Sequence, residues 1–228
     1  MTSGGGSVSA FTLQGYYGQV TSIRFILSGS DDRASISILG LGVNCFTKGT
    51  QIATPDGPRA VETLVAGDKI TTAGGRVSRV NWLGMQSVNT VFADPKKVNP
   101  IRIAAGALSR GLPRRDLELS PDHAIAIDGM LINAGALVNG STIYQVAEMP
   151  REGFTYYHVE TEAHELLLAE GVPDETFIDY AGRDSFENGD EVMGQVAEMA
   201  LPRISSRRMV PSELQTRLNE NKQSRSMA

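Results

Sequence analysis

The chain has 228 residues, of which 41% are hydrophobic and 21% charged, the balance of an ordinary soluble globular protein. The net charge is -5 with no basic stripe, which argues against a nucleic-acid partner. No apolar run is long enough to span a bilayer, "MTSGGGSVSAFTLQG" lacks the regions of a secretory signal, and one cysteine excludes an internal disulfide. Residues 1–44 open Gly/Ser-rich and then read "VTSIRFIL" and "ASISILGLG", whose alternation predicts two short strands. From Cys45 to residue 187, short apolar runs are separated by Pro-Asp-Gly, Gly-Asp, Gly-Gly and Asp-Gly signals, an all-β rhythm. Residues 188–228 differ. Val192, Val196 and Met199 stand at helical spacing, Ser212 precedes Gln215 as in a capping box, and the polar end "NKQSRSMA" is expected to fray.

The middle zone repeats itself. "IATPDGPRAVETLVAGDKI" lies against "IAIDGMLINAGALVNGSTI" at an offset of 73 residues, so that Ile52, Leu64, Gly67 and Ile70 match Ile125, Leu137, Gly140 and Ile143. Asp56-Gly57 and Asp128-Gly129 fall one residue out of step, as a changed hairpin loop would give. Two copies make no solenoid, but two half-barrels about a pseudo-two-fold axis would bury one core. Chance similarity among turn-rich strands is the alternative.

The only cysteine, Cys45, stands just before the first copy, and His123 just before the second. Pseudo-symmetry would bring both toward one cleft. A cysteine with histidines elsewhere in the chain is the usual composition of a thiol-nucleophile site. A small buried hydrophobe is the other reading of a lone cysteine. A zinc site would be a third, but CxxC spacing is missing. His158 lies on a Tyr-rich strand and is expected to be structural. Asp94 and Asp116 are expected to be turn residues.

These residues resemble the Hint (Hedgehog/intein) domain family. "CFTKGTQIATPDGPRAVETLVAGDKI" is similar to the family's opening block, "LSPDHAI" to its Thr-x-x-His block with Ser120 in the threonine place, and "HVETEAHELLLAEGVPDETFID" to the later histidine block. "AAGALSRGLPRRDLELSPDH" is closest to a bacterial subgroup. The resemblance implies an all-β, Hint-type horseshoe-like fold of two pseudo-two-fold related β subdomains, with a short helical C-terminal tail. It divides the chain into an extein-like flank (1–44), an autoprocessing domain (45–187) and a helical or partly disordered tail (188–228).

The resemblance also implies a single-turnover, cis-acting cysteine autoprotease. The Cys45 thiol would attack the Asn44 carbonyl and turn the Asn44–Cys45 amide into a thioester. His123 would protonate the leaving nitrogen, Ser120 would hold the carbonyl or its oxyanion, and His164 would relay a proton or activate water, unless it only caps a strand end. The chain's own N-terminal segment is then the substrate, and water or an external thiol or amine releases it. No cofactor, metal, nucleic acid or membrane span is expected, and a monomer is. A bacterial source and export without a classical signal fit the subgroup. Splicing needs a terminal His-Asn, whereas Asn188 follows Glu187 and precedes Gly189, so the expected reaction stops at cleavage. A non-catalytic scaffold or interaction module with the same fold is the competing reading.

Overall fold

A computed structural model describes residues 44–91, 93–178, 186–189 and 196–226. The two strands expected before residue 44 lie outside these. In chain order the strands are β1 (Phe46–Thr47), β2 (Gln51–Ile52), β3 (Arg59–Ala60), β4 (Lys69–Thr71), β5 (Val77–Val88), β6 (Ile101–Ile103) and β7 (Leu117–Leu119). They continue with β8 (Ala124–Ile127), β9 (Met130–Asn133), β10 (Ile143–Gln145), β11 (Phe154–Thr161), β12 (Leu166–Ala169), β13 (Val172–Glu175) and β14 (Arg203–Ile204). Helix α1 (Pro95–Val98) is one turn, and α2 (Ser212–Ser226) closes the described chain. The strands form two sheets, ordered β10-β6-β7-β1-β11-β5-β4 and β14-β9-β8-β13-β12-β2-β3. The protein is all-β, as the turn rhythm predicts.

The duplication is visible in the register. Ile52 pairs with Arg59 in the first hairpin and Ile125 with Ile132 in the second, so both hairpins keep the same offset. Ile52 then pairs with Ala169 and Ile125 with Asp174, placing the two copies on either side of the β12–β13 hairpin. In the other sheet Phe46 pairs with Leu119, its own mate in the repeat, so the pseudo-two-fold axis passes between them. The misplaced Asp-Gly has a local cause, and hairpin length is unchanged. In the second copy Asp128 and Gly129 take φ of 50 and 75, the two left-handed residues of a two-residue hairpin turn. In the first, Thr54 and Gly57 exchange backbone hydrogen bonds at 3.2 Å around Pro55-Asp56.

The longest strand, β5, buries Val80, Trp82 and Gly84 in alternation, as a strand with one packed face does. A β-bulge near Asn81 shifts its register against β11 between Glu160 and Thr161. Gly84 faces His158 across the ladder, and a Cβ there would lie 2.5 Å from the Trp82 ring and 2.9 Å from Phe186. Neither ring can yield cheaply in a closed cluster. Gly84→Ala is expected to cost about 1–3 kcal/mol by overpacking, read as a lowered midpoint in urea unfolding. An unchanged midpoint would mean that this cluster is loose.

The tail is part of the fold. Strand β14 runs parallel to β9, with Arg203 opposite Leu131, and Val210, Leu214 and Leu218 join the main core. Residues 191–195 of the expected first tail helix lie outside the described residues, and Val196–Met199 are not helical. The capping box does not form: α2 begins at Ser212 itself, and the Gln215 side-chain amide donates back to the Val210 carbonyl at 2.8 Å. The polar end stays helical to Ser226.

Candidate functional site

Cys45 immediately precedes β1, a two-residue strand held between β7 and β11. The pairs Phe46–Tyr157 and Phe46–Leu119 fix what lies beside it: continued by one residue, they set Cys45 opposite His158 on one side and Ser120 on the other. The contacts agree. The Cys45 N–H donates to Ser120 Oγ at 2.9 Å, the Ser120 N–H donates to the Cys45 carbonyl at 2.9 Å, and Cys45 Sγ lies 3.5 Å from His158 Nδ1. The thiol is fully buried beside Trp82, Tyr156, Phe177 and Phe186. Burial pushes it well above its ordinary pKa, because a thiolate there would lack solvation. The His158 ring sits edge-on to Phe177, with centroids 4.4 Å apart. His158, expected to be structural, is the histidine that lies at the sulfur.

His123 follows Ser120 through a turn closed by its N–H on the Ser120 carbonyl at 3.1 Å. Its ring packs edge-on to Phe46 at 4.5 Å, and its Nε2 is 3.6 Å from Asp174 Oδ1 on β13. Both side chains are fully buried, and no hydrogen bond satisfies either ring nitrogen or either Asp174 oxygen among the described residues. Burial dominates both groups. It pushes His123 down to about 4, with the Arg203 and His164 charges acting the same way and Glu175 and the Cys45 backbone opposing. It pushes Asp174 well up, reinforced by the neighbouring Glu175. At neutral pH the ring is neutral, and burial favours the protonated form of the carboxyl.

The pseudo-symmetry assigns these residues differently from the simple expectation. The repeat mate of His123 is Thr50, whose carbonyl accepts from Val61 as that of His123 accepts from Ala134, each at 2.8 Å. Cys45 and His123 are thus not mates; Ser120, three residues before His123, joins the second copy to the Cys45 backbone.

His164 belongs to a neighbouring layer. The Met199 N–H donates to its Nδ1 at 3.0 Å, so Nε2 carries the proton and donates to Glu175 Oε2 at 3.3 Å. Glu175 also accepts from the Ala124 N–H at 2.8 Å and pairs with Arg203 of β14. Burial alone would raise the Glu175 pKa, but the hydrogen bonds from His164 and Arg203 hold it below its ordinary value. Both ring nitrogens of His164 are engaged, and Cys45 is not their partner. Asp94 caps α1 on the Lys96 N–H and Asp116 accepts from Ala105, as turn residues do. Among the described residues, no cluster of three or more His, Cys, Asp or Glu is arranged to hold a metal, and no helix is long and apolar enough to cross a membrane.

A family model for the Hint domain matches residues 44–181. The chain therefore belongs to the Hint domain family, the class of autoprocessing and splicing-type domains. Among solved structures it is similar to a bacterial intein-like domain from Clostridium thermocellum, at 16% identity and a TM-score of 0.43, covering 60% of this chain and 100% of that one. It is also similar to the gp41-1 intein, at 13% identity and a TM-score of 0.43, covering 58% of this chain and 98% of that one. No curated protein matched the chain.

Proposed function

We propose that the domain cleaves its own chain at Asn44–Cys45 through an N–S acyl shift, without splicing. The observation that supports this best is the double engagement of Cys45: its leaving nitrogen is held by Ser120 while its sulfur faces His158. His158 Nδ1 takes the thiol proton, and Sγ attacks the Asn44 carbonyl carbon. The buried His123–Asp174 pair holds one proton and supplies it to the Cys45 nitrogen, the C–N bond breaks, and the acyl group rests on sulfur. Ser120 was expected at the carbonyl or its oxyanion. Its Oγ instead accepts from the leaving N–H, a bond that strengthens once that nitrogen becomes an ammonium. His164 acts through Glu175, as a positioning residue for the His123 segment.

Asn188 supports cleavage without splicing. Its Nδ2 donates to the Leu83 carbonyl at 2.9 Å and its Oδ1 accepts from the Met85 N–H at 3.0 Å, so the side chain serves as a brace on β5.

Dithiothreitol should attack the thioester and split the purified chain into fragments ending at Asn44 and beginning at Cys45, read by intact mass. Cys45→Ala should abolish this, because no other thiol exists, and Cys45→Ser should leave at most slow ester chemistry. Cleavage at the same bond in Cys45→Ala overturns the mechanism. The scaffold reading is favoured by one observation, the fully buried thiol with its raised pKa. A folded wild type that stays whole with thiol present over days would establish that reading instead.

A further inference from the structure

Asn44 carries the carbonyl that Cys45 would attack, and its side chain has no explained role. The residue is 3% exposed, and its Nδ2 finds no hydrogen-bond acceptor among the described residues. Leaving a buried amide donor unpaired costs about 1–3 kcal/mol, so such donors are normally satisfied. The neighbouring groups are all committed: the Cys45 N–H and carbonyl to Ser120, and the thiol to His158.

We infer that Asn44 is the internal nucleophile that resolves the thioester. Nδ2 attacks the Asn44 main-chain carbonyl carbon and closes a five-membered aminosuccinimide ring. The new bond is C–N, and the bond that breaks is the C–S bond to Cys45. The departing sulfur takes back the proton that His158 Nδ1, 3.5 Å away, received from the thiol, and His158 Nδ1 then takes the proton lost by Nδ2. No water, oxidant or reductant enters. The products are residues 1–44 ending in a succinimide and a domain beginning with free Cys45. This inference rests on the thioester reading above.

Three physical points support it. The junction is closed, with Cys45 at 0% exposure, so water or an external thiol must wait for it to open while Nδ2 is already inside. The nucleophile is tethered to its electrophile, which replaces a bimolecular encounter by a ring closure. An amide nitrogen is a weak nucleophile against a resonance-stabilised peptide bond, but a thioester lacks that resonance and expels a better leaving group. The acyl shift is thus what makes Asn44 competent.

The test is the intact mass of the N-terminal fragment released by the full chain without thiol, quenched early in acid. The expected fragment is lighter by one water than the product of hydrolysis. Asn44→Ala and Asn44→Leu, which offer no side-chain nucleophile, should lose thiol-independent release by about two orders of magnitude or more. Both should still be split by dithiothreitol, which shows that they fold and form the thioester. A wild-type fragment of full hydrolysis mass from the first time points, or an unchanged rate in Asn44→Ala, overturns the inference and leaves the acyl shift standing. Release only when dithiothreitol is added does the same. No release from any of the chains, with or without dithiothreitol, overturns both.

Discussion

Replacing His123 by alanine is expected to slow thiol-dependent release of residues 1–44 by about two to four orders of magnitude, followed by intact mass over time. The leaving nitrogen is the difficult partner in this reaction, because an amine expelled unprotonated would recapture the acyl group. In the proposed reaction His123 delivers that proton: the turn from Ser120, which holds the Cys45 N–H, sets the ring against Phe46 of β1, and Asp174 Oδ1 lies 3.6 Å from its Nε2. The pKa of about 4 makes the imidazolium a strong acid when it forms. A proton from Asp174 would therefore stay on the ring only until the nitrogen takes it. Alanine leaves Asp174 with its proton and no path to the amide. His123→Gln separates chemistry from packing, since it keeps much of the volume but moves no proton, and it should be as slow as alanine. A folded variant within about threefold of the wild-type rate would remove His123 from the proposed reaction.

The parts of this site that were legible in the sequence are those fixed within a single segment. The Ser120–His123 spacing is one turn, and a turn can be read from Ser-Pro-Asp. The duplication was legible because Ile52 and Ile125 sit in hairpins of equal length. What escaped depends on pairing between distant segments. His158 meets the thiol only because β11 lies next to β1, a neighbour 113 residues away, and nothing in "YYHVET" specifies that register. Asp174 and Glu175 look like a turn-end acidic pair in "GVPDETF", yet β13 points them into the interior on either side of His123 and His164. Arg203 escaped for a different reason. It lies beyond the family match, in a tail expected to be helical or partly disordered, and reaches Glu175 through a parallel pairing with β9. Helical spacing at Val196 and Met199 misled because those residues are not helical, and the Met199 N–H donates to His164 instead of into a helix.

Asp174→Asn is expected to give the folded protein a pH dependence that the wild-type pair conceals. In the unfolded chain Asp174 loses its proton near 3.8 and His123 near 6.5. In the fold Asp174 is raised and His123 lowered to about 4. A raised Asp174 makes stability fall as pH rises and a lowered His123 makes it rise, so in the wild type the two slopes oppose each other. The variant removes the Asp174 proton from both states. Folded His123 is then neutral above about pH 4 while the unfolded chain protonates it below 6.5, so stability should rise with pH across that window by about 3 kcal/mol and level off above it. Urea midpoints at several pH values, taken as variant minus wild type, isolate the effect from Glu175, His164 and Arg203, which both proteins retain. A flat or falling variant curve would mean that His123 keeps its proton in the fold, and would sink the neutral ring on which the proton delivery to Cys45 depends. A rising one would show that His123 is neutral in the fold, where burial leaves an imidazolium without solvation.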